Sequence, residues 1–141
     1  MAVTEVNAKT LARLVAAARS VPRADHDRLT GRLVMAGAAG DIPALCEILA
    51  PDVMVVSDGG GTAPTGAAVA CGAEEAAWLV AALLAAPGLR PTLAQINGRL
   101  GIVVYRGKDA AAVVAPEAGL RGIAALWVVR NPVKLRAWHS S

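Results

Sequence analysis

The dipeptide Pro87-Gly88 splits this 141-residue chain into two patterning regimes, and that split constrains the fold more than any other feature. Before it, apolar residues recur at helical spacing; after it, they come in short runs between turn residues. From 72 to 86, Ala76, Leu79, Val80, Leu83 and Leu84 share one helix face, and Glu74 and Glu75 suit the positive end of the helix dipole. Beyond Gly88, residues 92–96, 101–106, 110–115 and 120–130 read as strands. They are separated by Asn97-Gly98, Gly107-Lys108-Asp109 and Pro116-Glu117-Ala118-Gly119, so the pattern predicts an antiparallel meander.

Upstream, Leu11, Leu14, Val15 and Ala18 fall on one face of a predicted basic helix over 9–19, which Pro22 stops. A second helix is predicted from an Asp25 cap through Leu29, Leu33, Val34 and Ala38 to Gly40. A third has Asp41 as cap, Pro43 in its first turn, a buried stripe of Leu45, Cys46, Ile48 and Leu49, and Pro51 as its end. Residues 53–57 form a β-branched run ending in Asp58-Gly59-Gly60-Gly61, and a loop follows through Gly66. Helices first and hairpins last predict an α+β domain with helices on one face of a curved antiparallel sheet, and exclude a Rossmann arrangement.

Composition decides what fills that domain. With 55% hydrophobic and 18% charged residues, disorder is excluded, and with no Phe, three Trp and one Tyr the interior must be aliphatic and closely packed. Charge is distributed in blocks. Residues 33–89 contain no Lys or Arg, whereas Lys9, Arg13, Arg19, Arg23, Arg28 and Arg32 precede them and eight further basic residues follow. The acidic middle and basic flanks read as solvated faces that neutralise each other, and four cations on a short arm without stacking aromatics do not predict specific DNA binding. The apolar run 76–86 is about half the length a membrane span needs, and the first eight residues lack a signal-peptide core. A cytoplasmic protein with no membrane segment is expected. Cys46 and Cys71 have no metal-ligand spacing, and His26 and His139 lie near opposite ends, so neither a metal nor a cofactor is expected.

Gly40-Asp41-Ile42, Ile48-Leu49-Ala50-Pro51-Asp52-Val53, Ser57-Asp58-Gly59-Gly60-Gly61, Ile96-Asn97-Gly98 and Asn131-Pro132-Val133-Lys134-Leu135 occur in an order that resembles the SnoaL-like C-terminal domain of extracytoplasmic-function sigma factors. The resemblance runs from about Asp25 to Trp138. It implies a cone-shaped fold of the nuclear transport factor 2-like superfamily over 25–141, with residues 1–24 as a basic arm similar to the tail of a sigma region-four domain and its linker. The sequence has no room for region two or the rest of region four, so promoter recognition is not expected of it. Two positions depart from the family pattern, both losing charge: Thr62 where Lys is common and Val133 where Asp is common.

The resemblance also implies a role. Asp58, Gly59, Gly60, Gly61, Asn131, Pro132, Lys134 and Leu135 become candidate protein-contact residues toward RNA polymerase or a sigma factor, in a non-catalytic regulatory domain. The alternative is a pocket protein of the same fold, isomerase- or hydrolase-like, taking a small apolar ligand. Its candidate residues are Asp58 as a carboxylate beside a glycine turn, Tyr105 as the one phenol, and Trp78 and Trp127 as core or pocket walls. A simpler role for Asp58 is to brace the turn through glycine amides. No Ser/His/Asp or Cys/His set can be assembled within the domain, so turnover is not expected. A homodimer through a sheet face of small apolar residues completes the expectations.

Overall fold

The computed structural model describes residues 21–58, 68–96, 98–130 and 135. The predicted helix over 9–19 lies outside them, as does most of the predicted closing turn over 133–138. Helix α1 spans Arg23–Ala38, with Pro22 rather than Asp25 at its N-cap. Helix α2 spans Ile42–Ile48. The Asp41 carboxylate caps it, accepting from the Ala44 amide at 3.2 Å, and Pro43 sits in its first turn where no amide bond is lost.

Strand β1 (Leu49–Asp58) begins where the third helix was expected to continue, so Pro51 lies inside a strand instead of ending a helix. The ladder explains why it is tolerated: β1 pairs with its neighbour at Leu49 and again from Met54, with an irregularity between. The missing Pro51 donor falls in that gap. A short strand β2 (Ala68–Cys71), unanticipated from the sequence, returns antiparallel to β1. Helix α3 (Ala73–Leu84) follows the Gly72 cap.

Strands β3 (Arg90–Ile96), β4 (Arg99–Arg106), β5 (Asp109–Gly119) and β6 (Gly122–Val129) form the expected meander. Its last turn is Leu120-Arg121, and the segment Pro116 to Gly119, expected as that turn, is the end of β5. Pro116 is accommodated because β5 has run past its last pair with β4, Val114 opposite Ile102. The six strands are ordered β2-β1-β6-β5-β4-β3, and β1 lies parallel to β6. The sheet is therefore mixed and open, not wholly antiparallel.

All three helices pack on one sheet face. Their core is aliphatic: Leu33, Leu45, Val80 and Leu84 meet Val55, Ile102, Val114 and Leu126. At Gly37 a β-carbon would stand 2.5 Å from Leu84 Cδ1, so hydrogen is what lets α1 approach α3 so closely. The other sheet face carries a smaller cluster of Ile96, Val103, Ala110 and Val113, which Leu135 covers at 3% exposure.

Candidate functional site

Register places the two motif segments. Because β1 and β6 are parallel and paired from Met54 opposite Ala125 to Asp58 opposite Val129, both strands finish at the same end of the sheet. Asp58 is the last residue of β1 and Val129 the last of β6. The glycine run 59–61 and the segment 131–134 issue directly from these neighbouring ends, and both lie outside the described residues, as does the Asp58 side chain. Leu135 is described: it is helical and buried in the outer cluster, so the last residue of the second motif anchors that segment to the sheet. Gly98, in the fourth element of the resemblance, sits at the opposite end with a φ of 83°.

Of the candidate pocket residues, Trp78, Tyr105 and Trp127 stand apart from one another, and the Asp58 side chain lies outside the described residues. Trp78 is 61% exposed on α3, so it is neither core nor the wall of a cavity beneath the helix. Tyr105 is half-buried on the outer sheet face with the Arg90 guanidinium 4.9 Å from its ring centre, a cation–π contact. Trp127 is half-buried and stands on the same outer face, since its neighbours Leu126 and Val128 face the helices. Strand β5 separates it from Tyr105.

A buried polar pair on α1 was missed from the sequence. His26 and Thr30 are fully buried, and His26 Nε2 lies 3.0 Å from the Leu100 carbonyl. A carbonyl only accepts, so Nε2 carries the proton and Nδ1 is left as an acceptor, buried and without a partner. Thr30 Oγ1 donates to the His26 carbonyl at 2.9 Å. Nearby, Arg23 donates to the Gly98 carbonyl at 2.6 Å, so two side chains clamp the start of α1 to the β3–β4 hairpin. The signal was there: His26, Thr30, Leu33 and Gly37 recur at four, three and four residues and are the buried face of α1; of the expected residues Leu33 is fully buried, Leu29 and Val34 pack against the core partly buried, and Ala38 is exposed. His26 therefore belongs to the body of the domain. Among the described residues, no group of three His, Cys, Asp or Glu side chains could hold a metal ion.

Ion pairs hold the periphery. Arg99 and Glu117 meet at 4.0 Å across β4 and β5, and Arg121 at the β5–β6 turn reaches Asp52 at 2.9 Å. No described helix is long and apolar enough to cross a membrane.

Among the described residues, three helices on one face of an open mixed sheet, with Leu135 packed on the other, match the nuclear transport factor 2-like class. Solved structures agree: a nuclear transport factor 2-like protein from Mesorhizobium loti superposes with a TM-score of 0.57 at 16% identity, covering 76% of this chain and 91% of its own. An LEH-like epoxide hydrolase of Mycobacterium tuberculosis gives 0.50 at 12% identity over 77% of this chain and 84% of its own, a likeness of fold alone. The sequence narrows this further. The chain is homologous to the extracytoplasmic-function RNA polymerase sigma factor SigJ of Mycobacterium tuberculosis, 32% identical over 124 residues. The SigJ crystal structure superposes with a TM-score of 0.59 at 28% identity, over 89% of this chain and 49% of that one. This is a sigma-factor-related domain of the nuclear transport factor 2-like fold. The match covers 80% of the chain but only 40% of SigJ, and no family model matches.

Proposed function

We propose that the domain regulates transcription in the cytoplasm by contact with RNA polymerase or a sigma factor, without turnover, through the sheet end where β1 and β6 finish. The observation that carries this is the parallel pairing of Asp58 with Val129, which starts the segments 58–61 and 131–135 side by side although some seventy residues separate them. Homology to a sigma factor supplies the class of partner. The contact uses Asp58, the following glycines, Asn131, Pro132 and Lys134, with Leu135 holding the second segment to the sheet. The test is recovery of polymerase or a sigma subunit on the immobilised full chain. Lys134→Ala and Asp58→Ala are expected to reduce recovery; no polymerase or sigma subunit recovered by the parent chain overturns the reading.

A second reading has its own observation. The buried Nδ1 of His26, without a hydrogen-bond partner, suits a small ligand that presents one hydroxyl or amide donor. Calorimetric titration with small hydroxylated hydrophobes tests it: saturable binding abolished in His26→Leu supports the reading, and no binding refutes it. A homodimer fits the sheet's outer face. Half-buried Met54, Ala115, Trp127 and Val129 leave an apolar strip beside the part that Leu135 covers. Sedimentation equilibrium giving a monomer at high concentration would remove it.

A further inference from the structure

The outward side of α3 lacks the charged residues that a surface helix normally carries. Glu74, Trp78, Ala82 and the C-cap Ala85 recur at four, four and three residues and are all exposed, so they form one solvent-facing line. After Glu75 no charged side chain occurs before Arg90. Trp78 is the one exposed aromatic side chain among the described residues, an indole held in water on a rigid helix. The two ends of this face carry opposite charge. Glu74 and Glu75 lie in the first turn of α3. At the other end the chain turns at Pro87-Gly88, where a β-carbon on Gly88 would stand 3.9 Å from the Arg106 guanidinium. Lys108 follows in the adjoining β4–β5 turn, and both cations are exposed. None of these four side chains has an ion pair among the described residues.

We infer that α3 pairs with α3 of a second copy of this chain, antiparallel about a twofold axis. Such a contact is isologous, so each interaction occurs twice. Seating Trp78 against Ala82 of the partner subunit sets the register, because the large side chain then fills the space left by the small one and the indole leaves water. In that register Glu74 faces position 86 of the second copy, two residues before the glycine beside the arginine. The acidic end of each helix therefore meets the basic end of the other. A parallel pairing would instead set Glu74 and Glu75 against their own copies, so charge selects the antiparallel one. The contact is about three helical turns long, smaller than a standard interface, and the dimer is accordingly weak and concentration-dependent. It lies on the helical side of the sheet, away from the outer-face strip and from the proposed polymerase contact.

Sedimentation equilibrium on the full chain tests the pairing through charge reversal. The variant E74K/E75K opposes cations to Arg106 and Lys108, and R106E/K108E opposes acids to Glu74 and Glu75. Each alone is expected to dimerise at least about tenfold more weakly than wild type. An equimolar mixture of the two restores opposite charges at both ends, so it is expected to recover the wild-type affinity as a heterodimer. Trp78→Asp is expected to abolish the dimer; its side chain lies outside the core, and melting followed by circular dichroism reports the fold of every variant. Three results overturn the inference: a wild-type chain that stays monomeric at high concentration, a mixture that associates no more tightly than its components, or a dimer that persists in W78D, which would assign the contact to the outer sheet face.

Discussion

Replacing Gly122 with alanine probes how β1 comes to lie beside β6. Gly122 opens β6 with a φ of 115°, and a β-carbon there would stand 2.5 Å from the Ile48 carbonyl oxygen and 3.3 Å from the Ala50 amide nitrogen. Both contacts are backbone at the junction of α2 and β1, where no rotamer change relieves them. The left-handed backbone costs an L-residue about 1–2 kcal/mol, and forcing the junction apart adds about 1–3 kcal/mol. The expected loss is roughly 2–5 kcal/mol, which for a chain of this size lowers the melting temperature on the order of 10 °C. Gly98→Ala is the matched control: its φ is also positive, at 83°, but nothing lies within 4 Å of the added carbon. It is expected to lose only the backbone part, about 1–2 kcal/mol. Urea unfolding followed by tryptophan fluorescence, with calorimetric melting alongside, measures both. The first β1–β6 pair, Leu49 with Ile123, adjoins Gly122, so G122A should also loosen the pairing of β1 with β6. If G122A loses no more stability than G98A, the close approach of β6 to the α2–β1 junction is wrong.

Leu135→Ala, which uncovers Val103 and Val113, should cost about 2–4 kcal/mol in urea unfolding and raise binding of an apolar dye. An unchanged midpoint would show that Leu135 does not seal the outer face. His26→Ala should cost about 2–4 kcal/mol, because it opens a cavity and leaves the Leu100 carbonyl without its buried donor. A loss under about 1 kcal/mol in urea unfolding would argue against the clamp. Arg121→Ala removes the Asp52 pair, but both side chains are about two-thirds exposed, so its urea midpoint should match the parent. A clear drop would mean that the pair holds the β5–β6 turn.

Much of this architecture was legible because it is local. Asp41 before Ile42-Pro43, Gly72 before Glu74-Glu75, and the turn glycines Gly98 and Gly107 each act within a few residues, and the structure uses them as read. Pro51 and Pro116 misled. Each reads as a stop because it lacks a donor, yet each lies where the ladder has no partner waiting, which depends on a strand distant in sequence. The residues proposed for protein contact were legible only as motifs, and the pocket candidates Trp78, Tyr105 and Trp127 shared an aromatic character that carries no information about direction. His26 went unread because a polar residue on a helix is by default solvated; burial came from its bond to Leu100, on a strand 74 positions away.

Taken alone, the sequence determined an aliphatic-cored α+β chain with helices ahead of hairpins, since turn chemistry, caps and side-chain period are properties of neighbouring residues. Tertiary structure alone decided that β1 runs parallel to β6, that β2 forms at all, and that α1 turns its His26-Thr30-Leu33-Gly37 face inward. Those choices rest on contacts between segments tens of residues apart, where a strand's partner is selected by which buried surfaces fit. The same choice of partner brings the ends of β1 and β6, Asp58 and Val129, to one end of the sheet.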